Sequence, residues 1–106
     1  MILQISDDEN IKVKIANNFF KKLIGFMGKK DFDYGIIFPK TNSIHTFFMK
    51  ENIDVIMCDK DNNVLYYYNN LGKWKFILPK KNVYIVYETP VNYFNVKLDT
   101  KIKTTS

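Results

Sequence analysis

Three side chains that could do chemistry stand close together in SIHTFFMKENIDVIMCDKDNN, residues 43 to 63: His45, Asp54 and Cys58. The chain has no other histidine or cysteine. A histidine can act as base, metal ligand or polar core residue. A cysteine becomes a nucleophile only beside a base that depresses its pKa, and a lone free Cys58 is expected to be buried and inert. Asp54 sits among Ile53, Val55, Ile56 and Met57, where an ionised carboxylate is costly unless it is paired or hydrogen-bonded. It therefore pins a loop through backbone N–H groups or a lysine, or it belongs to an acid/base site. Glu88, closing VYIVYE, poses the same choice. A metal would need three or four of His45, Asp54, Cys58 and Glu88 to converge, and no Cys-x-x-Cys or His-x-x-x-His pair occurs, so no metal is expected. Glycines at 25, 28, 35 and 72 are too scattered for a phosphate loop or dinucleotide fingerprint, so no cofactor is expected either.

Whether these groups meet depends on strand register. IHTFFMK and IDVIMC read as two strands. With Glu51 and Asn52 as a two-residue turn, Met49 faces Asp54, His45 faces Cys58, and His45, Phe47, Met49, Asp54, Ile56 and Cys58 share a face. A slip of one residue separates His45 from Asp54. Phe47, Phe48 and Met49 are core by default. If exposed beside Tyr66, Tyr67, Tyr68 and Trp74, they form an aromatic cleft of the kind that holds ligands.

The elements that must position these residues are mostly strands. ILQI and the alternating IKVKIA flank the turn cluster SDDEN. NNFFKKLIGFMGKK carries Phe19, Phe20, Leu23, Ile24 and Met27 at helical spacing, with Asn17 or Asn18 as cap and Gly28 as stop. YGIIFP, VLYYY, WKFILP and VYIVYE follow as strands, DKDNN as a turn and NNLGK as a loop. Pro90 could open a helical turn in PVNYFNV, and KIKTT could form a last edge strand. The pattern predicts one α+β domain over residues 1 to 106. It is mostly antiparallel, a curled sheet or partly open barrel with one or two short helices.

Charge narrows the partners. Of the net +5, none comes from residues 1 to 72, which carry nine lysines and nine carboxylates. All 16 basic residues are lysine. Without arginine's bidentate fork, sequence-specific nucleic-acid readout is not expected, while salt-sensitive attraction to polyanions is open to the C-terminal lysines with Trp74, Phe76 and Tyr84 between them. No run reaches the ~18 apolar residues of a membrane span. MILQISDDEN lacks a basic and apolar leader, which predicts a soluble, cytoplasmic protein.

LIGFMGKKDFDYGIIF, SIHTFFMKENIDVIMCDKDNNVL and VYIVYETP, in that order, resemble the signature blocks of the prokaryotic family called domain of unknown function 192. The matching positions are Gly25, Phe26 and Met27; Gly35 to Phe38; Ile44, His45 and Thr46; Phe48, Met49, Lys50, Ile53 and Asp54; and Val86 to Glu88. This chain has Asn52 where many relatives have proline, and a shortened C-terminal segment, NYFNVKLDTKI. The resemblance implies a mostly β fold and carries no agreed function. The expectation is thus a binding or accessory module for a small-molecule ligand, with a shallow pocket near His45, Asp54 and Glu88. His45 and Thr46 would orient the ligand, Phe48 and Met49 would wall it, and Lys50 would supply charge. The alternatives are an enzyme pairing His45 with Asp54 or Glu88 as acid and base, and weak polyanion binding.

Overall fold

The computed structural model describes residues 1 to 105; the Phe19 and Phe20 side chains, expected in the core, lie outside what is described. Strands β1 (Ile2–Ser6), β2 (Glu9–Ile15), β3 (Gly35–Pro39), β5 (Ile53–Cys58), β6 (Val64–Leu71), β8 (Ile85–Thr89) and β9 (Lys103–Thr105) form one sheet in the order β6-β5-β8-β3-β2-β1-β9. Its pairs are antiparallel except β2 with β3. Two short strands, β4 (Ile44–His45) and β7 (Phe76–Ile77), pair separately. The sheet curls until its two edges meet at one end. There Val64 N–H donates to Thr100 O at 2.8 Å, Ile102 N–H donates to Asn62 O at 3.1 Å, and Asn63 bridges Lys101. The expected curled, mostly antiparallel β architecture is present, as a mixed sheet with little helix.

Both faces of this sheet are covered. Leu3, Ile11, Val13, Ile56, Cys58, Val64, Tyr87 and Ile102 fill the concave side. Phe26, Phe38, Ile44, Met49, Val55, Met57 and Ile77 fill the other, beneath α1 (Phe19–Ile24) and the β4–β7 pair. Strand β5 lies between two neighbours and between two cores, so all six of its residues are buried. That is why IDVIMC is an almost unbroken apolar run rather than an alternating one.

Several expected elements change form. Asn18 caps α1, its Oδ1 accepting Lys21 N–H at 2.8 Å, but the helix ends at Gly25 rather than Gly28. PVNYFNV makes a turn, with Tyr93 N–H donating to Pro90 O at 3.3 Å, not a helix. WKFILP supplies only two strand residues, while Asn69, Asn70 and Leu71 extend β6 instead of forming a loop.

The largest correction is the hairpin between IHTFFMK and IDVIMC, which does not form. Strand β4 pairs with β7, and β5 pairs with β6 and β8. Thr46 explains the diversion. Buried at 1% exposure, it donates through Oγ1 to Gly72 O at 2.8 Å and accepts Lys75 N–H at 2.7 Å. Its backbone N–H donates to Lys75 O and its carbonyl accepts Trp74 N–H. The chain then turns, with Phe48 at φ +61°. Thr46→Val keeps the shape but leaves Lys75 N–H and Gly72 O without this partner. A loss of about 1–3 kcal/mol in denaturant unfolding is expected, with faster amide exchange at Lys75; exchange unchanged there would contradict the clasp.

Candidate functional site

The two buried carboxylates have opposite surroundings. Asp54 is opposite Thr89 and Glu88 opposite Val55 across the β5–β8 ladder, so their side chains leave the sheet on opposite faces. Asp54 is 1% exposed and accepts four hydrogen bonds. Oδ1 takes Asn69 Nδ2 at 2.9 Å and Asn70 N–H at 2.8 Å; Oδ2 takes Tyr67 Oη–H at 2.8 Å and Asn92 N–H at 3.0 Å. Burial, then the bond to Asp54, pushes the Tyr67 phenol up to about 12, which keeps it a donor. This carboxylate fastens the irregular end of β6 and the turn after β8.

Glu88 is 4% exposed and has no such shell. Burial alone pushes its carboxyl up to about 8, with no charge or hydrogen bond among the described residues to offset it. The side chain is therefore mostly protonated at neutral pH. It forms the floor of a pocket of about 240 Å³ whose walls include Phe38, Ile44, Met49 and Phe76, with Thr41, Ser43 and His45 supplying polar edges. Gly25 closes one side at φ +48°, and a Cβ there would lie 3.3 Å from Glu88 Oε1 and from the Phe38 ring. Only glycine combines that backbone angle with that approach.

His45 borders the same pocket, but both ring nitrogens are engaged. Phe47 N–H donates to Nδ1 at 3.1 Å, so Nδ1 carries no proton, and Nε2 lies 3.1 Å from Leu23 O, to which it donates. The ring ties the C-terminal end of α1 to β4.

Thus the pocket brings together His45, Met49 and Glu88. Asp54 lies across the sheet, Thr46 is absorbed in its clasp, and Phe48 and Lys50 are outside on the surface. Burial, with a smaller contribution from the Asp59 charge, pushes the Cys58 thiol up to about 12. Among the described residues no three His, Cys, Asp or Glu side chains gather to hold a metal. Gly25, Phe38, Ser43 and Phe76 were not among the expected site residues. Gly25 to Met27, Gly35 to Phe38, Ile44 to Thr46 and Val86 to Glu88, the blocks that carried the resemblance, do supply much of the pocket.

The chain matches the family model DUF192, described as "Uncharacterized ACR", over residues 1–103. It is 35% identical over 100 residues to a UPF0127 protein of Thermococcus sibiricus, covering 86% of this chain and 64% of that one. To a UPF0127 protein of Thermococcus kodakarensis it is 36% identical, over 76% of this chain and 54% of that one. The chain thus spans less than two thirds of the length of these two relatives. A crystal structure provisionally described as a transcription regulator from Sinorhizobium meliloti 1021 superposes with TM-score 0.82 at 13% identity, covering 96% of this chain and 90% of that one. A protein of unknown function from Novosphingobium aromaticivorans DSM 12444 superposes with TM-score 0.73 at 16% identity, covering 86% and 72%. At such identities the two structures share the fold alone.

Proposed function

The chain belongs to the DUF192 family, and from that premise we propose that it is a binding module for a small, mostly apolar molecule carrying one hydrogen-bonding head. The observation that carries the reading is the Glu88 carboxyl, buried and without a hydrogen-bond partner among the described residues, under an apolar pocket. A neutral carboxyl offers one O–H donor and one carbonyl acceptor side by side. An amide or lactam head complements both, and Ile44, Met49 and Phe76 enclose the apolar remainder. Residues 1 to 106 would act as one domain, and a cytoplasmic setting is part of the same proposal.

A general-acid role has one observation in its favour, since an acid near pH 8 is well matched to neutral conditions. Binding is the better-supported reading because His45, the expected partner base, spends both nitrogens on backbone groups.

Thermal-shift screening at pH 6 against matched sets of small lactams, amides, amines and carboxylates tests the proposal. Amide-type heads are expected to raise the melting temperature of the wild-type chain. Gly25→Ala, which places a methyl against Glu88 Oε1, is expected to abolish that shift, and to lower stability by about 1–3 kcal/mol from backbone strain. A shift that survives in Gly25→Ala would move the ligand elsewhere.

A further inference from the structure

Beside the pocket mouth, and sharing Phe76 with it, the protein presents a second feature. Phe48 and Trp74 are each 59% exposed and Phe76 54%, and Phe47 joins them at the edge. The rings touch one another: Phe48 lies edge-on to Trp74 with centroids 4.8 Å apart, and Phe47 stands 6.1 Å from Trp74 and 6.3 Å from Phe76. The cluster is built to point outward. Phe48 and Trp74 both hold positive φ, +61° and +60°, an outlier for bulky side chains. The Thr46 clasp binds their two loops together from below.

The segments that carry the cluster hold charge of one sign. Segments 43–50 and 70–82, which carry every one of these apolar side chains, contain Lys50, Lys73, Lys75, Lys80 and Lys81 and no aspartate or glutamate. The acidic residues Glu51 and Asp31, joined where Asp31 N–H donates to Glu51 at 2.8 Å, stand at the Phe48 edge of the face.

We infer that this face docks on the surface of an anionic lipid bilayer, with Phe48 and Trp74 entering the interfacial layer and the flanking lysines resting on lipid phosphates. Aromatic rings with polar edges settle at that depth, and lysines near it are drawn to anionic headgroups. A single-stranded nucleic acid would also meet lysines and aromatics, but it needs rings that successive bases can stack on. Here the rings are inclined to one another by 32° to 62°. No helix among the described residues is long and apolar enough to cross a membrane, so the contact is peripheral. It stands independently of what the pocket binds.

Trp74 is the chain's single tryptophan and therefore reports on this face alone. Mixing the full chain with phosphatidylglycerol–phosphatidylcholine vesicles is expected to shift its emission to the blue and to co-sediment the protein. Pure phosphatidylcholine vesicles are expected to give much less of both. Exchanging Lys73 and Lys75 for glutamine should weaken partitioning by about thirtyfold at low salt. Phe48→Ser, at an exposed position that leaves the cores intact, should abolish the blue shift while circular dichroism is unchanged. No blue shift and no sedimentation with anionic vesicles overturns the inference. So does a Trp74 response to a single-stranded oligonucleotide that exceeds the response to those vesicles.

Discussion

Asp54→Ala is expected to cost the fold about 3–5 kcal/mol, a large share of the ~5–15 kcal/mol that holds a domain of this size together. The side chain lost is small, but the groups it leaves behind are not free to find water. Asn69 Nδ2, Asn70 N–H, Tyr67 Oη and Asn92 N–H all converge on the one carboxylate. Between the pairs Ile53–Leu71 and Val55–Tyr68 the β5–β6 ladder slips, so that Asp54 stands opposite both Asn69 and Asn70. The carboxylate supplies the acceptors that this irregularity would otherwise lack. Asp54→Asn is expected to retain part of the stability, because an amide keeps one acceptor oxygen and replaces the other with a donor that faces donors. Denaturant midpoints measure both losses. At temperatures where the variants remain folded, pocket binding should match the wild type, since Asp54 opens onto the other face of the sheet. Loss of binding in folded Asp54→Asn would return this residue to the site.

How much of this fold is legible in the sequence follows the range of the interactions. Ile11 and Val13 alternating with Lys12 and Lys14 betray a strand facing one core, and VYIVYE betrays β8, because side-chain period is a local property. IHTFFMK misled for the same reason. Its β-branched and aromatic residues fit a strand, yet Thr46 finds its hydrogen-bond partners at Gly72 and Lys75, far along the chain, and nothing local announces them. NNLGK carries loop residues, but Asp54 recruits Asn69 and Asn70 into β6. Two carboxylates in apolar runs looked alike in sequence. Their difference lies in what faces them: four donors for Asp54, and for Glu88 a glycine at φ +48° and a phenylalanine ring. The family signature blocks located the neighbourhood without saying which of their residues lay on which side of the sheet.

Glu88 should make the protein less stable as pH rises, contrary to the usual behaviour of a carboxylate. In the unfolded chain its carboxyl titrates at the ordinary 4.5, and in the folded protein near 8. Between those values the folded state holds a proton that the unfolded state has released, so unfolding releases a proton and stability falls with pH. The contribution is complete below about pH 4.5 and is lost as pH passes through 8. At 1.36 kcal/mol per unit the full swing is roughly 4–5 kcal/mol, and water entering through the pocket mouth would reduce it. Glu88→Gln, close to the neutral acid in shape and unable to ionise, removes this dependence. The two proteins should therefore unfold at similar urea concentrations at pH 5, with the variant more resistant by several kcal/mol at pH 9. Parallel urea melts at the two pH values measure the difference, and a constant gap between wild type and variant would show that Glu88 ionises freely in the fold. The same titration governs the pocket. Above pH 8 the carboxyl loses the proton that an amide carbonyl accepts, so the thermal shift from amide heads should fade in the wild type. Ammonium heads, which pair with the ionised form, should gain over the same interval. In Glu88→Gln neither preference should move with pH, which separates a change in this carboxyl from a general response of the protein to alkali.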